Sequence, residues 1–186
     1  NAIHYTEIFP LIEQNKIWAG YTFNKTLEFE LPNSYTKYKY INDKGNKVGT
    51  VAGIIWLTNL PVKNRERDIT PYKHYSPEEY DWYDNCNAID VPKVSDIPVD
   101  FDGIMGVPDS FLEYYDPEKY ELLAADCIPQ YADKVGISRI GEEWMARYRA
   151  AGGTGHYTAN MRSLVLTTKD GIPKKVFSRL LIRKKQ

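Results

Sequence analysis

The chain is organised around residues 96–120, DIPVDFDGIMGVPDSFLEYYDPEKY. This segment holds three prolines, two glycines and, between residues 100 and 116, five acidic side chains, and it keeps no lasting helical or strand period. Each proline fixes its own φ and pushes the preceding residue toward extended backbone, while glycine permits φ values closed to other residues. We therefore predict a rigid, shaped loop that is neither helix nor strand. Its apolar residues indicate that the loop lies against a hydrophobic core.

The regions on either side of this loop have clearer periods. NAIDV (residues 87–91) predicts a strand before it, and YELLAADC (residues 120–127) predicts a buried strand after it. Residues 141–150 predict a helix that stops at Gly152, and residues 163–184 predict a hairpin formed by the last two strands. The second half is therefore a loop-rich mixture of helix and strand.

The first 60 residues read as a helix followed by strands. Thr6 is suited to cap a helix that runs to about Asn15, and residues 16–23 predict a strand. LEFEL (residues 27–31) and the tyrosine-rich residues 35–41 alternate as strands do, and NDKGN (residues 42–46) is a turn that leads into a long apolar strand. We predict an antiparallel hairpin at the edge of a sheet.

Composition and charge narrow the class of protein. The chain has 186 residues, 42% of them hydrophobic, which is enough to bury a core. Its longest apolar run is far shorter than the roughly 20 residues that a membrane span needs, and it starts without a leader, so we predict a cytoplasmic protein. Residues 139–186 carry 11 Lys and Arg against 3 Asp and Glu, whereas the rest carries 13 against 22. Such asymmetry is typical of a face that binds a polyanion, although a solvated basic surface explains it equally well.

The sequence argues against several kinds of catalytic site. Cys86 and Cys127 lie 41 positions apart without a nearby histidine pair, so we predict reduced thiols and no metal site. The three histidines, His4, His74 and His156, fall in no nucleophile signature. A metal-dependent nuclease is a weak alternative, because the strand at residues 120–127 lacks the lysine that such a site requires.

Four stretches and the C terminus carry a family resemblance. IPVDFDGIMGVPDSFLEYYDPEKYEL (residues 97–122) resembles a long motif of the EcoRI-type adenine-specific DNA methyltransferases. Residues 1–23, 54–60 and 83–94 resemble further stretches of that family in the same order, and VFSRLLIRKK (residues 176–185) resembles its closing strand. The resemblance therefore covers nearly the whole chain.

The resemblance implies a partial enzyme. The family's Asn/Asp-Pro-Pro-Tyr/Phe signature and its loop for S-adenosylmethionine lie upstream of the stretch that resembles residues 1–23, and neither occurs here. It therefore implies that residues 1–60 are the terminal helix and strands of a methyltransferase-type sheet, and that residues 61–186 are a target-recognition region. The expected class is α+β, as a partial α/β fold. The S-adenosylmethionine site would lie mostly outside this chain, which would hold no catalytic residue.

The resemblance also implies that an adenine is flipped out of the DNA and held between aromatic side chains. Fifteen tyrosines and four tryptophans are many for this length, although most tyrosines in a protein serve packing. The candidates for stacking on the target base lie in the region before the family's final sheet strand, and we favour the first two: Tyr35, Tyr38, Phe23, Phe29 and Tyr40.

Basic residues of the second half are the candidates for binding DNA. Arginine reads guanine edges and lysine contacts phosphates. The set consists of Arg139, Arg147, Arg149, Arg162, Lys174, Lys175, Arg179 and Arg183.

Our leading hypothesis is the C-terminal part of a restriction-modification adenine-N6 DNA methyltransferase that contributes double-stranded DNA binding and target recognition, inactive on its own. A non-enzymatic DNA-binding or interaction module is the alternative, and a sugar-binding β module is a third. A partial sheet has an open edge, so we also expect a homodimer through that edge.

Overall fold

The computed structural model describes residues 2–23, 25–63 and 67–185. Within these residues the fold is mixed α+β, with short strands grouped in four small sheets. The α-helices are α1 (Phe9–Glu13), α2 (Pro129–Ala132) and α3 (Glu142–Ala150). The strands are β1 (Trp18–Ala19), β2 (Lys25–Leu31), β3 (Tyr40–Ile41), β4 (Lys47–Ile54), β5 (Leu57–Thr58), β6 (Ala88–Asp90), β7 (Ile104–Val107), β8 (Tyr120–Ala125), β9 (Val165–Thr167), β10 (Pro173–Lys175) and β11 (Leu180–Lys184).

The central sheet has the strand order β6-β7-β11-β8. Strands β6 and β7 are parallel, and β11 is antiparallel to both β7 and β8. The C-terminal ends of β6, β7 and β8 and the start of β11 therefore lie at the same edge of the sheet. The loops that follow β6, β7 and β8 and the loop that precedes β11 are therefore neighbours at this edge.

The prediction that residues 96–120 contain neither helix nor strand is wrong. Strand β7 lies in the middle of this segment, and a 3-10 helix covers Asp109–Glu113. Met105 and Val107 are fully buried, so this short apolar run is stabilised by pairing inside the sheet. Packing requires glycine at position 106, because a Cβ there would lie 2.1 Å from the hydroxyl oxygen of Tyr83.

The N-terminal helix packs against the central sheet. Phe9 and Ile12 are buried in one cluster with Met105 and Leu180. The helix is shorter than the predicted span from Thr6 to about Asn15, and no side chain caps its N terminus. The strand predicted at residues 16–23 is reduced to β1, which pairs with β5.

The predicted hairpin forms a three-stranded antiparallel sheet in the order β2-β4-β3. Its turn is confirmed: the side-chain oxygen of Asn42 accepts hydrogen bonds from the backbone N–H groups of Lys44 and Asn46. The tyrosine-rich strand predicted at residues 35–41 is wrong except for β3. Lys47 explains the difference, because its Nζ donates to the carbonyls of Asn33 and Tyr35 and holds that stretch as a loop.

Outside residues 96–120, the strands and the helix predicted around the central loop are present, and the disagreement lies at the C-terminal end. Strands β6 and β8 and helix α3 are confirmed. The predicted C-terminal hairpin is wrong in its second strand, because β9 pairs with β10 and β11 pairs with β7 and β8 instead. Leu180, Leu181 and Ile182 are all fully buried, and a strand that is apolar on both faces belongs inside a sheet.

The α+β class is thus confirmed, and the division at residue 60 stays a prediction. Among the described residues no helix has the length and apolarity that crossing a membrane requires.

Candidate nucleic-acid interface

A cleft opens at the edge of the central sheet where β6, β7 and β8 end. It encloses about 570 Å³ and is lined by Asp90 and Pro92, by residues 108–110 and by residues 174–179. We call it the basic cleft. The strand directions explain how it forms, because the loop after β7 and the loop before β11 leave the sheet at the same edge as the end of β6.

The floor of the basic cleft is a buried ion pair. Arg179 Nε lies 2.9 Å from Asp90 Oδ1, and the same oxygen accepts a 2.6 Å hydrogen bond from the Tyr83 hydroxyl. Only 8% of Arg179 is exposed. Burial would lower the pKa of Arg179, but its hydrogen bond to Asp90 outweighs that effect and raises it. Arg179 is therefore neutralised by Asp90 and supports the cleft from below instead of presenting its charge to a ligand.

A second acidic side chain of the cleft, Asp109, is paired with a histidine. Both carboxylate oxygens of Asp109 lie 3.1 Å from His4 Nε2. Burial alone would lower the pKa of His4, but hydrogen bonds to Asp109 and to Cys127 raise it to about 10. His4 is therefore protonated at neutral pH and offsets the charge of Asp109.

Strand β10 and the loop between β10 and β11 present the exposed groups of the basic cleft. Pro173, Val176 and Arg179 are buried, whereas Lys174, Lys175, Phe177 and Ser178 are exposed. The Phe177 side chain is 84% exposed, which is unusual for an aromatic residue. Lys175 Nζ lies 4.7 Å from the centre of the Tyr157 ring.

The charge of the cleft follows from these pairings. Its carboxylates are matched by Arg179 and by His4, and neither Lys174 nor Lys175 forms an ion pair with any residue that the structure describes. An exposed phenyl ring beside two such lysines can stack on a base while the lysines contact phosphates. This combination is typical of a surface that binds nucleic acid.

A second concavity lies on the three-stranded sheet, and we call it the hairpin hollow. It encloses about 420 Å³ and is lined by Phe29, Tyr35 and Tyr38, together with Leu31, Lys37, Lys39, Gly49 and Thr50. The three rings are exposed. Lys47 Nζ lies 5.3 Å from the centre of the Tyr38 ring and thereby holds that ring in place.

The structure separates the five aromatic residues selected from the sequence. Phe29, Tyr35 and Tyr38 line the hairpin hollow together. Tyr40 is exposed on the same sheet and donates its hydroxyl hydrogen to Glu28. Phe23 is only 4% exposed and lies in the hydrophobic core, so its ring is not available to a base in this conformation.

The eight predicted basic residues do not form one surface. Lys174, Lys175 and Arg179 meet at the basic cleft, whereas the other five lie elsewhere and form hydrogen bonds to protein groups. Arg139 donates to the side chain of Asn160, Arg147 to Thr167, Arg149 to the carbonyls of Gly153, Gly155 and Tyr157, Arg162 to Asp133, and Arg183 to Glu121.

The sequence reasoning gave no DNA-binding role to Asp90, Asp109 and Phe177 of the cleft or to His4 beside it. His4 and Asp109 are 105 positions apart, and no local pattern predicts that they meet. Phe177 is the one with a usable signal, since it is an aromatic residue inside a basic run, KKVFSR (residues 174–179).

Comparison of the sequence with known proteins identifies a family. The profile described as adenine-specific methyltransferase EcoRI matches residues 1–185. The type II methyltransferase M.EcoRI of Escherichia coli is 40% identical over 129 residues, which are 66% of this chain and 40% of that protein. M.MgeORF184P of Mycoplasma genitalium is 36% identical over 137 residues, which are 68% of this chain and 42% of that protein. M.MpnI of Mycoplasma pneumoniae is 33% identical over 137 residues, which are 68% of this chain and 41% of that protein. The matches thus span about two-fifths of these relatives, and no solved structure matches the chain.

Proposed function

The chain belongs to the EcoRI adenine-specific methyltransferase family, and from that premise we propose that it is the C-terminal portion of an adenine-N6 DNA methyltransferase of a restriction-modification system. Its part in the reaction is to bind double-stranded DNA and to recognise the target site. The whole enzyme would transfer a methyl group from S-adenosylmethionine to adenine.

The basic cleft is the observation that carries the DNA-binding role. Lys174 and Lys175 supply positive charge that no described carboxylate neutralises, and Phe177 supplies a flat apolar surface between them and the start of β11. Lysines position a protein on the phosphate backbone, while an exposed ring adds stacking energy of about 1–3 kcal/mol per base. The cleft thus has the two kinds of contact that a DNA strand requires.

The hairpin hollow supports a second step, in which an extruded adenine is held. An enzyme that modifies a base must take it out of the duplex and place it against aromatic or apolar side chains. Phe29, Tyr35 and Tyr38 line one exposed concavity of suitable character. We propose that Tyr35 and Tyr38 form one side of the adenine site.

The two concavities described above do not have the form of a site for S-adenosylmethionine. The basic cleft and the hairpin hollow both lack a glycine-rich turn that follows a strand and opens a helix, which is how α/β folds bind nucleotide-like cofactors. We therefore propose that other parts of a longer protein hold the methyl donor and the catalytic groups. Incubating the 186-residue chain with tritiated S-adenosylmethionine and duplex DNA should give no methylation, and robust methylation would contradict this division of labour.

The test of DNA binding is the salt dependence of affinity for a DNA duplex. Each phosphate contact lowers log K by about 0.9 per tenfold rise in salt, so the variant Lys174→Ala/Lys175→Ala should lower the slope by about 1.8 and weaken binding. Fluorescence anisotropy of a labelled duplex measures both quantities.

A charge-matched control is Lys16→Ala/Lys185→Ala, because both of these lysines are exposed and neither lines the basic cleft. An equal fall in slope for the two double variants would show that net charge, and not the cleft, governs binding. The homodimer through the open edge of the partial methyltransferase-type sheet stays a prediction.

A further inference from the structure

Three side chains of the kind that bind transition metals converge beside the basic cleft. A ring nitrogen of His4, a carboxylate oxygen of Asp126 and the sulfur of Cys127 all lie within 4.8 Å of one another. His4 ends the short 3-10 helix Ala2–His4, while Asp126 and Cys127 follow β8 directly. We propose that these three residues form a zinc-binding site, and this proposal does not depend on the DNA-binding role.

The distances suit an ion with only a small adjustment. His4 Nδ1 lies 2.9 Å from Cys127 Sγ. A tetrahedral zinc ion with ordinary bond lengths holds a nitrogen and a sulfur ligand about 3.5 Å apart. The two side chains therefore need to separate by only some tenths of an ångström. Cys127 is exposed, so the ion can reach the site from solvent.

Asp109 contacts the second ring nitrogen of His4, the one that does not face Cys127. Histidine ligands of metals almost always donate their other ring N–H to a carboxylate or carbonyl, which fixes the ring and raises its basicity. His4 Nε2 lies 3.1 Å from both oxygens of Asp109, and Nδ1 is directed at Cys127. Zinc would displace the proton that the protonated imidazole carries on Nδ1. The Oγ of Ser178 lies 3.7 Å from the Cys127 Sγ.

The carboxylate of Asp126 supplies a second reason to expect a cation. Asp126 is only 6% exposed, and its Oδ1 accepts a hydrogen bond from the backbone N–H of Arg179 and one from the Cys127 thiol. Among the described residues no lysine or arginine side chain forms an ion pair with it, and the cationic group beside it is His4, which would give up a proton when zinc binds. A buried carboxylate is costly unless it is paired or coordinates a metal, and a divalent ion between the three ligands would meet that need.

The donor set selects the ion. Magnesium and calcium prefer oxygen ligands, whereas zinc is bound by cysteine sulfur, histidine nitrogen and carboxylate oxygen. Three protein ligands leave a fourth position, which water would occupy. Because His4 and Cys127 are 123 positions apart, the bound ion would tie the N-terminal segment to the end of β8 and stabilise the folded chain.

Zinc and cobalt titrations of the purified 186-residue chain test the site. Equilibrium dialysis should give one bound zinc per chain, and cobalt should produce a thiolate-to-cobalt charge-transfer band. Cys127→Ser should abolish the band and weaken zinc binding at least tenfold. Cys86→Ala is the matched control, because it removes the other thiol, which is buried and lies in a different cluster; it should keep both properties.

Two further measurements keep the test decisive if Cys127→Ser is poorly folded. Asp109→Asn leaves all three ligands in place and should weaken zinc binding by about 10- to 100-fold, which is the usual effect of removing the group that orients a ligand. In the unaltered chain, zinc should protect Cys127 from iodoacetamide. The proposal is overturned if no cobalt–thiolate band appears, or if zinc binds Cys127→Ser as well as the unaltered chain.

Discussion

The buried ion pair between Arg179 and Asp90 joins the start of β11 to the end of β6. Both side chains are almost completely removed from water, and the hydroxyl of Tyr83 supplies a further hydrogen bond to Asp90. Removing one member of such a pair leaves an uncompensated charge in the interior, which typically costs 3–5 kcal/mol. This pair therefore determines whether the edge of the central sheet keeps its shape.

We expect Arg179→Ala to lower the free energy of unfolding by roughly 3–5 kcal/mol, because Asp90 then remains buried without a cation. Urea denaturation followed by circular dichroism measures this change. The matched control is Arg183→Ala, which breaks an exposed ion pair with Glu121 on the same strand and should cost about 1 kcal/mol or less. An equal decrease in the free energy of unfolding for the two variants would show that the buried ion pair stabilises the fold no more than the exposed one.

At the scale of elements, the loop between β10 and β11 contains buried residues that fix it to the core and exposed residues that face solvent. Val176 and Arg179 point inward, and the residues between and before them are directed to solvent. A loop that is fixed at intervals of three residues presents its exposed side chains in a defined arrangement. Rigid presentation lowers the entropy that binding costs.

Phe177→Ala should leave thermal stability unchanged, because 84% of this residue is already in water, yet it should weaken duplex binding. If the ring stacks on one base, the loss is about 1–3 kcal/mol, or roughly 5- to 150-fold in affinity. Ile172→Ala removes an exposed apolar side chain from the turn before β10 and serves as the control. Anisotropy titrations that give the same affinity for both variants would exclude a role of Phe177 in stacking.

The three-stranded sheet is the second element with a testable surface. In a longer enzyme that contains this chain, 2-aminopurine placed at the target adenine should brighten when it leaves the base stack. The double variant Tyr35→Ala/Tyr38→Ala should reduce this rise, because the extruded state is less populated without its stacking surface. Tyr5→Ala, which removes an exposed tyrosine outside the hairpin hollow, should retain the rise. A full signal from the double variant would place the adenine site elsewhere.

At the scale of the whole molecule, buried and half-buried side chains that ionise only at high pH govern how stability responds to alkali. Burial raises the pKa of Cys86 to about 11 and those of Tyr115 and Tyr157 to about 12. In the unfolded chain these groups lose their protons near pH 9 and 10. Between those values and the folded ones, the native state binds more protons than the unfolded state does.

Stability should therefore be complete only below about pH 6, because His4, with its pKa raised to about 10, already binds more protons in the native state above that pH, and it should fall further as pH rises above about 9. The midpoint of urea unfolding, measured at intervals from pH 7 to pH 11, tests this expectation. Cys86→Ala removes one of the contributing groups, so its midpoint should fall less steeply between pH 9 and pH 11. A midpoint that stays constant up to pH 11 would contradict the assignment of these groups to the interior.

Much of the fold follows from local pattern. Strand β8, the turn at residues 42–46 and helix α3 are recognised from residues close in the chain, because hydrophobic period, turn chemistry and helix stop signals act over a few positions. Strand β7 was missed because proline and glycine flank a run of only four residues. Such a run becomes a strand only when two neighbouring strands pair with it.

The sequence by itself determined the family, the mixed α+β class and the concentration of positive charge toward the C terminus, because each of these is written in contiguous residues. Only the tertiary structure decided which charges remain free. Arg179 and Lys175 look alike in the sequence, yet one is buried against Asp90 and the other faces solvent. It also decided that His4 meets Asp109 and Cys127. These contacts join residues more than a hundred positions apart, and they exist only because one edge of the central sheet brings several chain ends together.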